Sequence, residues 1–594
     1  MSVVGQTFPP LAQRAGLVAA VLLALVVGVT LQRRSGHRPV AALRRRLLLG
    51  VPWGTLVSVG VVLAVYLFLQ GGWSHWRNPL VVPFRAWSYL SPLGIAAAGF
   101  SHAGPGHLIG NLVGTVTLAP LVEYAWGHFP EGRGDHVFGR YTTNPYVRAF
   151  LLFPAAVVAV GVTTAAFALG PVVGFSGVVF AFAGFALVYY PLSTVAALTA
   201  ADAVRLAYRA FQRPSLTASG RPAFITPWWA DVAIQGHALG MLGGIVLAGW
   251  LAQRRGASLP TPGRLLVGAT LVAVGQNLWA VYWFLGGGEY VLFRAVGLSL
   301  VAVLAVLVAA VAADGASTAT LDAGVRADGG SDTGGGSSGS DAGGGSDTGG
   351  PSDIGGDPSG DGSSLLRPAA VFVLLLVVAV LAGAAVPTNL IAVGDEELPG
   401  DPIEVRGYTV TYAEDVSNGM VSVVDVSAFG LTTDVNSSGV IVRSPRRNVW
   451  STAVSKGRLG FAGQRSVVVG GVGWRAEVTA VRRGFDTVGG PTAYRVTVGH
   501  DGTERLAFQS EPARAEPRVA GWNVSVVPAE TKFRLRLSRG NETVSTAVPS
   551  GNQTVTAGGV RFVRDGRAVF AVVGDDESVT RVRVAAKETY RNSG

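Results

Sequence analysis

Nine stretches of this chain are apolar for close to the ~20 residues that a helix needs to cross a bilayer, and no other feature constrains its fold as much. They fall at about 13–31, 49–70, 107–127, 147–169, 172–190, 229–251, 263–285, 290–313 and 367–387. A bilayer offers the backbone no water to bond with, so runs of this kind have to be helical. The mean hydropathy of +0.40 and the 14% of charged residues fit a multi-pass membrane protein, not a soluble one. A tenth run, 192–211, is weaker because Asp202, Arg205 and Arg209 lie within or beside it.

Arginine sets the expected orientation. The net charge of +10 comes from arginine, with lysine nearly missing. In the membrane half the arginines gather in short loops, which argues for topology and against nucleic acid as a partner. The loops "LQRRSGHRPVAALRRRLL" (31–48) and "AQRRGASLPTPGR" (252–264) should both be cytoplasmic, which requires an even number of spans between them. Counting 49–70 through 229–251 gives six only if 192–211 is included. The N-terminus and everything after 387 are then outside. The N-terminus lacks the cleavage signature of a signal peptide. The chain has no cysteine, so disulfides and thiolate chemistry are excluded.

Residues 314–366 read as an acidic Gly/Ser/Asp linker, disordered and on the cytoplasmic side. After the run at 367–387 the sequence changes character. "KFRLRL" (532–537) and "SVTRVRVAA" (578–586) alternate polar and apolar residues, and "VRFVRDGRAVFAVV" (560–573) reads as two strands around an Asp565-Gly566 turn. Residues 388–594 are therefore expected to form an all-β, sandwich-like soluble domain. Four Asn-x-Ser/Thr sequons, at Asn436, Asn523, Asn541 and Asn552, lie in this segment and none precedes it. That makes it a candidate for glycosylation and supports an extracellular place.

Within the run at 172–190, Gly174-Phe175-Ser176-Gly177 sets one hydroxyl between glycines where a membrane helix should begin. Small residues let helices pack closely, and a serine at such a seam is ordinary. The pattern is not the G-x-S-x-G elbow of soluble hydrolases, because position 178 is Val. A nucleophilic serine also needs a base. Of the eight histidines, only His102, His107 and His237 lie at or near membrane depth. His237 is either a buried histidine satisfied by a neighbour or a functional group, since an ionisable residue in a span is costly. Gly240 and Gly244 follow it at i+3 and i+7 on the same face, and Gly177, Ala181 and Gly184 form a matching stripe. Two such faces can close until Ser176 and His237 share a hydrogen bond. In "FSHAGPGHLIGN" (100–111), His107 and Asn111 stand one above the other on a helical face. They are either polar glue between helices or donors for the oxyanion of an acyl transfer, with the Ser176 N–H as a third donor. Neither H-E-x-x-H nor a phosphate-binding G-x-x-x-x-G-K-[ST] loop is present, so no metal, nucleotide or other cofactor is expected.

In this order and spacing, these residues resemble the rhomboid family of intramembrane serine proteases. His102, His107 and Asn111 resemble its H-x(4)-H-x-x-x-N motif, "GFSG" its G-x-S-G, and "GHALGMLGG" its H-x-x-G-x-x-x-G. Glu123 and Gly127 fit its E-x-x-x-G, and Phe180 stands where an aromatic packs on the catalytic histidine. The resemblance covers about 49–251. It implies Ser176 as nucleophile and His237 as base and then acid, without an aspartate. It further implies Asn111, His107 and the Ser176 N–H as oxyanion hole, His102 as structural support, and Gly174, Gly177, Gly240 and Gly244 as the seam. One departure is plain. The family commonly has a Trp-Arg pair upstream of the first histidine, where this chain reads "PLGIAAA" (92–98), with Trp76-Arg77 and Trp87 earlier in an unusually long loop.

The expected architecture is an all-α polytopic membrane bundle, a rhomboid-like six-helix core with extra helices, carrying the β-domain. Its parts are an extra N-terminal helix and basic loop (1–48), the core (49–251), two further helices (252–313), the linker (314–366), a last helix (367–387) and the β-domain (388–594). The expected activity is intramembrane proteolysis at the plasma membrane on single-span membrane proteins, in a polar cavity open to the exterior, with "RPAFITPWWAD" (221–231) as cap or gate. Two other classes fit the same residues: an inactive rhomboid-like factor that binds membrane proteins, and a surface receptor or anchor centred on the β-domain. The sequence implies no oligomeric state.

Overall fold

The computed structural model describes residues 10–34, 39–214, 233–286, 289–311, 363–390, 392–394, 397–417, 436–551, 553–574 and 579–591. The linker up to 362, the stretch 221–231 and the sequon at Asn552 lie outside the described residues. The helices, in chain order, are α1 (Pro10–Arg34), α2 (Pro39–Arg46), α3 (Trp53–Leu69), α4 (Pro92–Ala98), α5 (Pro105–Trp126) and α6 (Pro145–Ala166). They continue with α7 (Ser176–Tyr189), α8 (Pro191–Gln212), α9 (Ile234–Arg254), α10 (Pro262–Gly275), α11 (Arg294–Val311), α12 (Ser363–Gly383) and the short α13 (Ala385–Asn389). Proline opens α5, α6, α8 and α10, where its missing N–H would be unpaired in any case.

Among the described residues, five stretches are long and apolar enough to cross a membrane: α5, α6, α9, α11 and Pro368–Pro387. Outward-facing Leu151, Leu247, Val303 and Phe372 are exposed, a surface suited to lipid. Three expected runs are corrected. The run at 172–190 becomes helical only at Ser176, because Gly174 takes φ +135 and breaks the approach. The run at 263–285 stops as a helix at Gly275; Asn277 turns at φ +59, and the chain enters a hairpin of β1 (Tyr282–Gly286) and β2 (Glu289–Leu292). The run at 290–313 is helical only from Arg294.

The weak run is a continuous 22-residue helix, α8. Two of its charges are engaged, since Arg205 bonds Asp202 at 2.8 Å and donates to the Gly110 carbonyl of α5 at 2.8 Å. The seam explains why the chain needs this helix. A Cβ on Gly240 would collide with the Gly177 carbonyl, one on Gly244 with that of Ala181, and one on Gly184 with that of Met241. Backbone therefore lies on backbone along a parallel pair, and the chain must return between α7 and α9.

Glu123 anchors the other end of α5. Fully buried, it accepts from the Gly54 and Thr55 N–H groups (2.7 and 2.8 Å), the Thr55 hydroxyl (2.7 Å) and His128 Nε2–H (2.8 Å). His128 Nδ1 accepts from the Leu48 N–H, which fixes the tautomer. A carboxylate thus caps the first turn of α3, where N–H groups have no intrahelical acceptor. Glu123→Gln sets an NH2 against donors, and the expected cost is about 2–3 kcal/mol, read as a lower melting temperature in detergent.

The C-terminal region is all-β and antiparallel. Strands β3 (Ile403–Val405), β4 (Tyr408–Ser417), β5 (Asn436–Ser444) and β6 (Val449–Ser455) form one four-stranded sheet. Strands β11 (Ala513–Val519), β12 (Trp522–Pro528), β13 (Phe533–Arg539) and β14 (Glu542–Ala547) form another. The eight-stranded third sheet holds β7 (Gln464–Gly471), β8 (Trp474–Thr487), β9 (Thr492–His500) and β10 (Thr503–Gln509) at one end. At its other end are β15 (Thr554–Ala557), β16 (Val560–Asp565), β17 (Ala568–Val573) and β18 (Thr580–Lys587). Each small sheet covers one end of the large one, enclosing an apolar core around Tyr408 and Val496 in one half and around Leu535 and Phe562 in the other. The single sandwich expected is therefore doubled, with β8 long enough to serve both halves. Arg482 on β8 stacks over Tyr494 at 3.6 Å and meets Glu588 at 2.7 Å, both side chains nearly buried. Glu588→Ala strands that guanidinium, and an expected loss of about 3 kcal/mol should appear in the β-domain's near-ultraviolet melting transition.

Candidate active site

Ser176 is the first residue of α7, with Phe175 before it as N-cap. Its N–H has no intrahelical acceptor and lies at the positive end of the helix dipole. The approach is held from two sides, by Gly174 N–H to the Ala98 carbonyl (2.8 Å) and by Ala86 N–H to the Val172 carbonyl (3.0 Å).

His237 lies in the first turn of α9, and its Nε2 is 2.8 Å from Ser176 Oγ. The Phe180 ring stacks on the imidazole with centroids 4.3 Å apart and planes 13° apart, fixing its tilt. The glycine seam makes the distance possible. Gly177 has no room for a side chain on its other flank either, since a Cβ there would sit 2.7 Å from Thr164 Oγ1. A cavity of about 30 Å³ adjoins the pair, lined by Ser176, His237, Gly174, Thr164, Val172 and Ala233 among others. That is room for about two waters.

The remaining candidates divide. The His107 ring lies against Gly174, where a Cβ would be 2.6 Å from Cε1, so residue 174 has no room for a side chain. Asn111 is buried, with Nδ2 3.0 Å from His102 Nε2. His102 is fully buried and packs edge-on against His107 at 5.1 Å. Glu123 is not at the site, being twelve residues beyond Asn111 and hence ~18 Å along the helix.

Three amides that sequence reasoning did not single out frame the site. Gln70 holds the backbone of His102 at both groups, accepting from its N–H at 2.8 Å and donating to its carbonyl at 2.9 Å. Gln235, two residues before His237, donates to the Phe167 and Leu381 carbonyls at 2.9 and 2.7 Å. Asn389 donates to the Ala166 and Ala168 carbonyls at 3.1 and 2.9 Å. Each is a polar residue in or just beyond an apolar run, and that is the signal they carry. The long loop also has a destination. Trp87 is buried among Tyr408, Val467 and Val469 of the β-domain, and Leu80 and Phe84 pack with Val468.

Family models, curated proteins and solved structures were compared with the chain, and none matches.

Proposed function

We propose that the chain is an intramembrane serine endopeptidase of the rhomboid class, with the six helices α3 and α5–α9 as its catalytic core and single-span membrane proteins as substrates. The observation that carries this is the 2.8 Å contact between Ser176 Oγ and His237 Nε2 at the start of two closely packed helices. Ser176 Oγ attacks the scissile carbonyl while His237 takes its proton. His237 then returns the proton to the leaving amine as the C–N bond breaks. Water, activated by the same imidazole, cleaves the acyl ester and restores the serine.

The tetrahedral oxyanion needs donors, and the Ser176 N–H, His107 and Asn111 are the candidates. The Asn111 carboxamide has two orientations of the same shape. With Oδ1 accepting from a His102 Nε2–H, its Nδ2 is released for the oxyanion. In that arrangement His102 sets the orientation of the amide that does the chemistry. The apolar helices support a substrate that arrives laterally in the bilayer, and the cavity beside the dyad supports access by water.

The test is reconstitution of the full chain in liposomes with a panel of model single-span substrates, together with a serine-reactive fluorophosphonate probe. Cleavage and probe labelling that both depend on Ser176 and His237 support the proposal. A wild-type chain that neither labels nor cleaves overturns it.

A further inference from the structure

We infer that Asn389, in the stalk between the last membrane helix and the β-domain, is a positioning residue for the catalytic serine and histidine. The inference rests on the protease chemistry proposed above, and it makes α12 and α13 part of the catalytic assembly.

The last turn of α6 ends in carbonyls that have no partner within the helix. The segment from there to Ser176 is ten residues long, and it has to satisfy those groups and hold the nucleophile still. Two amide side chains from elsewhere do the first task. Asn389 Nδ2 donates to the Ala166 and Ala168 carbonyls, and Gln235 Nε2 donates to the carbonyl between them, that of Phe167. Gln235 also accepts from the Leu169 N–H at 3.0 Å. Four successive residues on the approach to the serine are thereby fixed by side chains from α13 and α9.

Neither amide is an isolated cap. Gln235 is two residues from His237 and also donates to the Leu381 carbonyl on α12, so the last membrane helix is fastened to the histidine's own first turn. The Asn389 carbonyl accepts from the Tyr89 N–H at 2.8 Å and the Ser88 hydroxyl at 3.1 Å, which ties the same residue to the long loop. That loop returns to the serine approach through Ala86 and Val172. Ala168 is buried and lines the cavity together with Gly236, the neighbour of His237. Asn389 therefore fastens the serine approach to the long loop, and Gln235 fastens that same approach and α12 to the first turn of the histidine's helix. It is 3% exposed, and both of its amide protons are directed at carbonyls. The residue type thus matters: a carboxylate of the same size would face two carbonyl oxygens with no donor.

The test uses the full chain in liposomes and separates the probe's rate of reaction from its affinity. Asn389→Ala is expected to lower the maximal rate of fluorophosphonate labelling on the order of 10- to 100-fold, the effect of a misplaced reacting group, with probe affinity and melting temperature near wild type. Asn389→Asp should lose at least as much. Arg475→Ala is the control. It removes a different bond between the β-domain and the loop, from Arg475 to the Asn78 carbonyl at 2.6 Å, and should label at the wild-type rate. If Asn389→Ala cannot be purified, Gln235→Glu carries the same expectation, because it keeps the acceptor for Leu169 and loses both donated bonds. Wild-type labelling in a folded Asn389→Ala chain overturns the inference, as does an equal loss in Arg475→Ala, which would reduce the stalk to a tether. Both results leave the proposed protease intact. An unlabelled wild-type chain removes the protease and this inference together.

Discussion

Ser176→Ala is expected to reduce substrate cleavage and probe labelling to background, a loss of at least ~10³-fold. No neighbour can take over. Thr164, the nearest other hydroxyl on the cavity wall, is bonded to the Val160 and Gly161 carbonyls at 2.9 and 3.2 Å. His237→Ala should cost about as much, because it removes the imidazole whose Nε2 bonds the hydroxyl at 2.8 Å. The double variant should be no worse than either single one, since a nucleophile and its base act as one unit. Circular dichroism and melting temperature should stay near wild type in Ser176→Ala, which removes only an oxygen from a half-buried site. Persistent cleavage by that variant would mean the serine is only a packing residue.

Gly240→Ala should cost both stability and activity. The added carbon meets the Gly177 carbonyl, a backbone group that no rotamer change moves aside. α9 therefore has to back away from α7, and overpacking of this kind costs about 1–3 kcal/mol. Displacing the histidine by even ~1 Å should lower the labelling rate on the order of 100-fold. Gly243, on the same helix, has open space where its Cβ would stand, so Gly243→Ala should be neutral. Equal labelling of the two variants would show that the seam does not set the distance between serine and histidine.

The seam was legible in the sequence because small residues at helical spacing leave a periodic trace, as did the strand pair around Asp565-Gly566, now β16 and β17. Most of the hairpin's paired residues fall inside the runs at 263–285 and 290–313, which read as helix because an apolar run alone does not separate a strand from a span. The hairpin's signals are the aromatic and β-branched residues on either side of Gly286-Gly287-Gly288 in the sequence. The doubling of the β-domain left no trace, since β8 differs from its neighbours only in length. Gln70, Gln235 and Asn389 were out of reach for a stronger reason. Each acts on carbonyls that become unpaired only once a helix ends somewhere else, and that is decided by the fold and not by spacing.

The order in which the chain is made adds a timetable. Ser88 and Asn389 are separated by 301 positions. At ~5–20 residues per second, a ribosome needs about 15–60 s to travel from one to the other. For roughly the last two thirds of that interval the nascent bundle contains the Ser176 hydroxyl, and for about the last half the His237 imidazole, yet it lacks the amide that closes the end of α6. On the chemistry proposed above, the site stays incomplete until this stalk is made, while the chain's own spans are still being inserted beside those of other newly made membrane proteins.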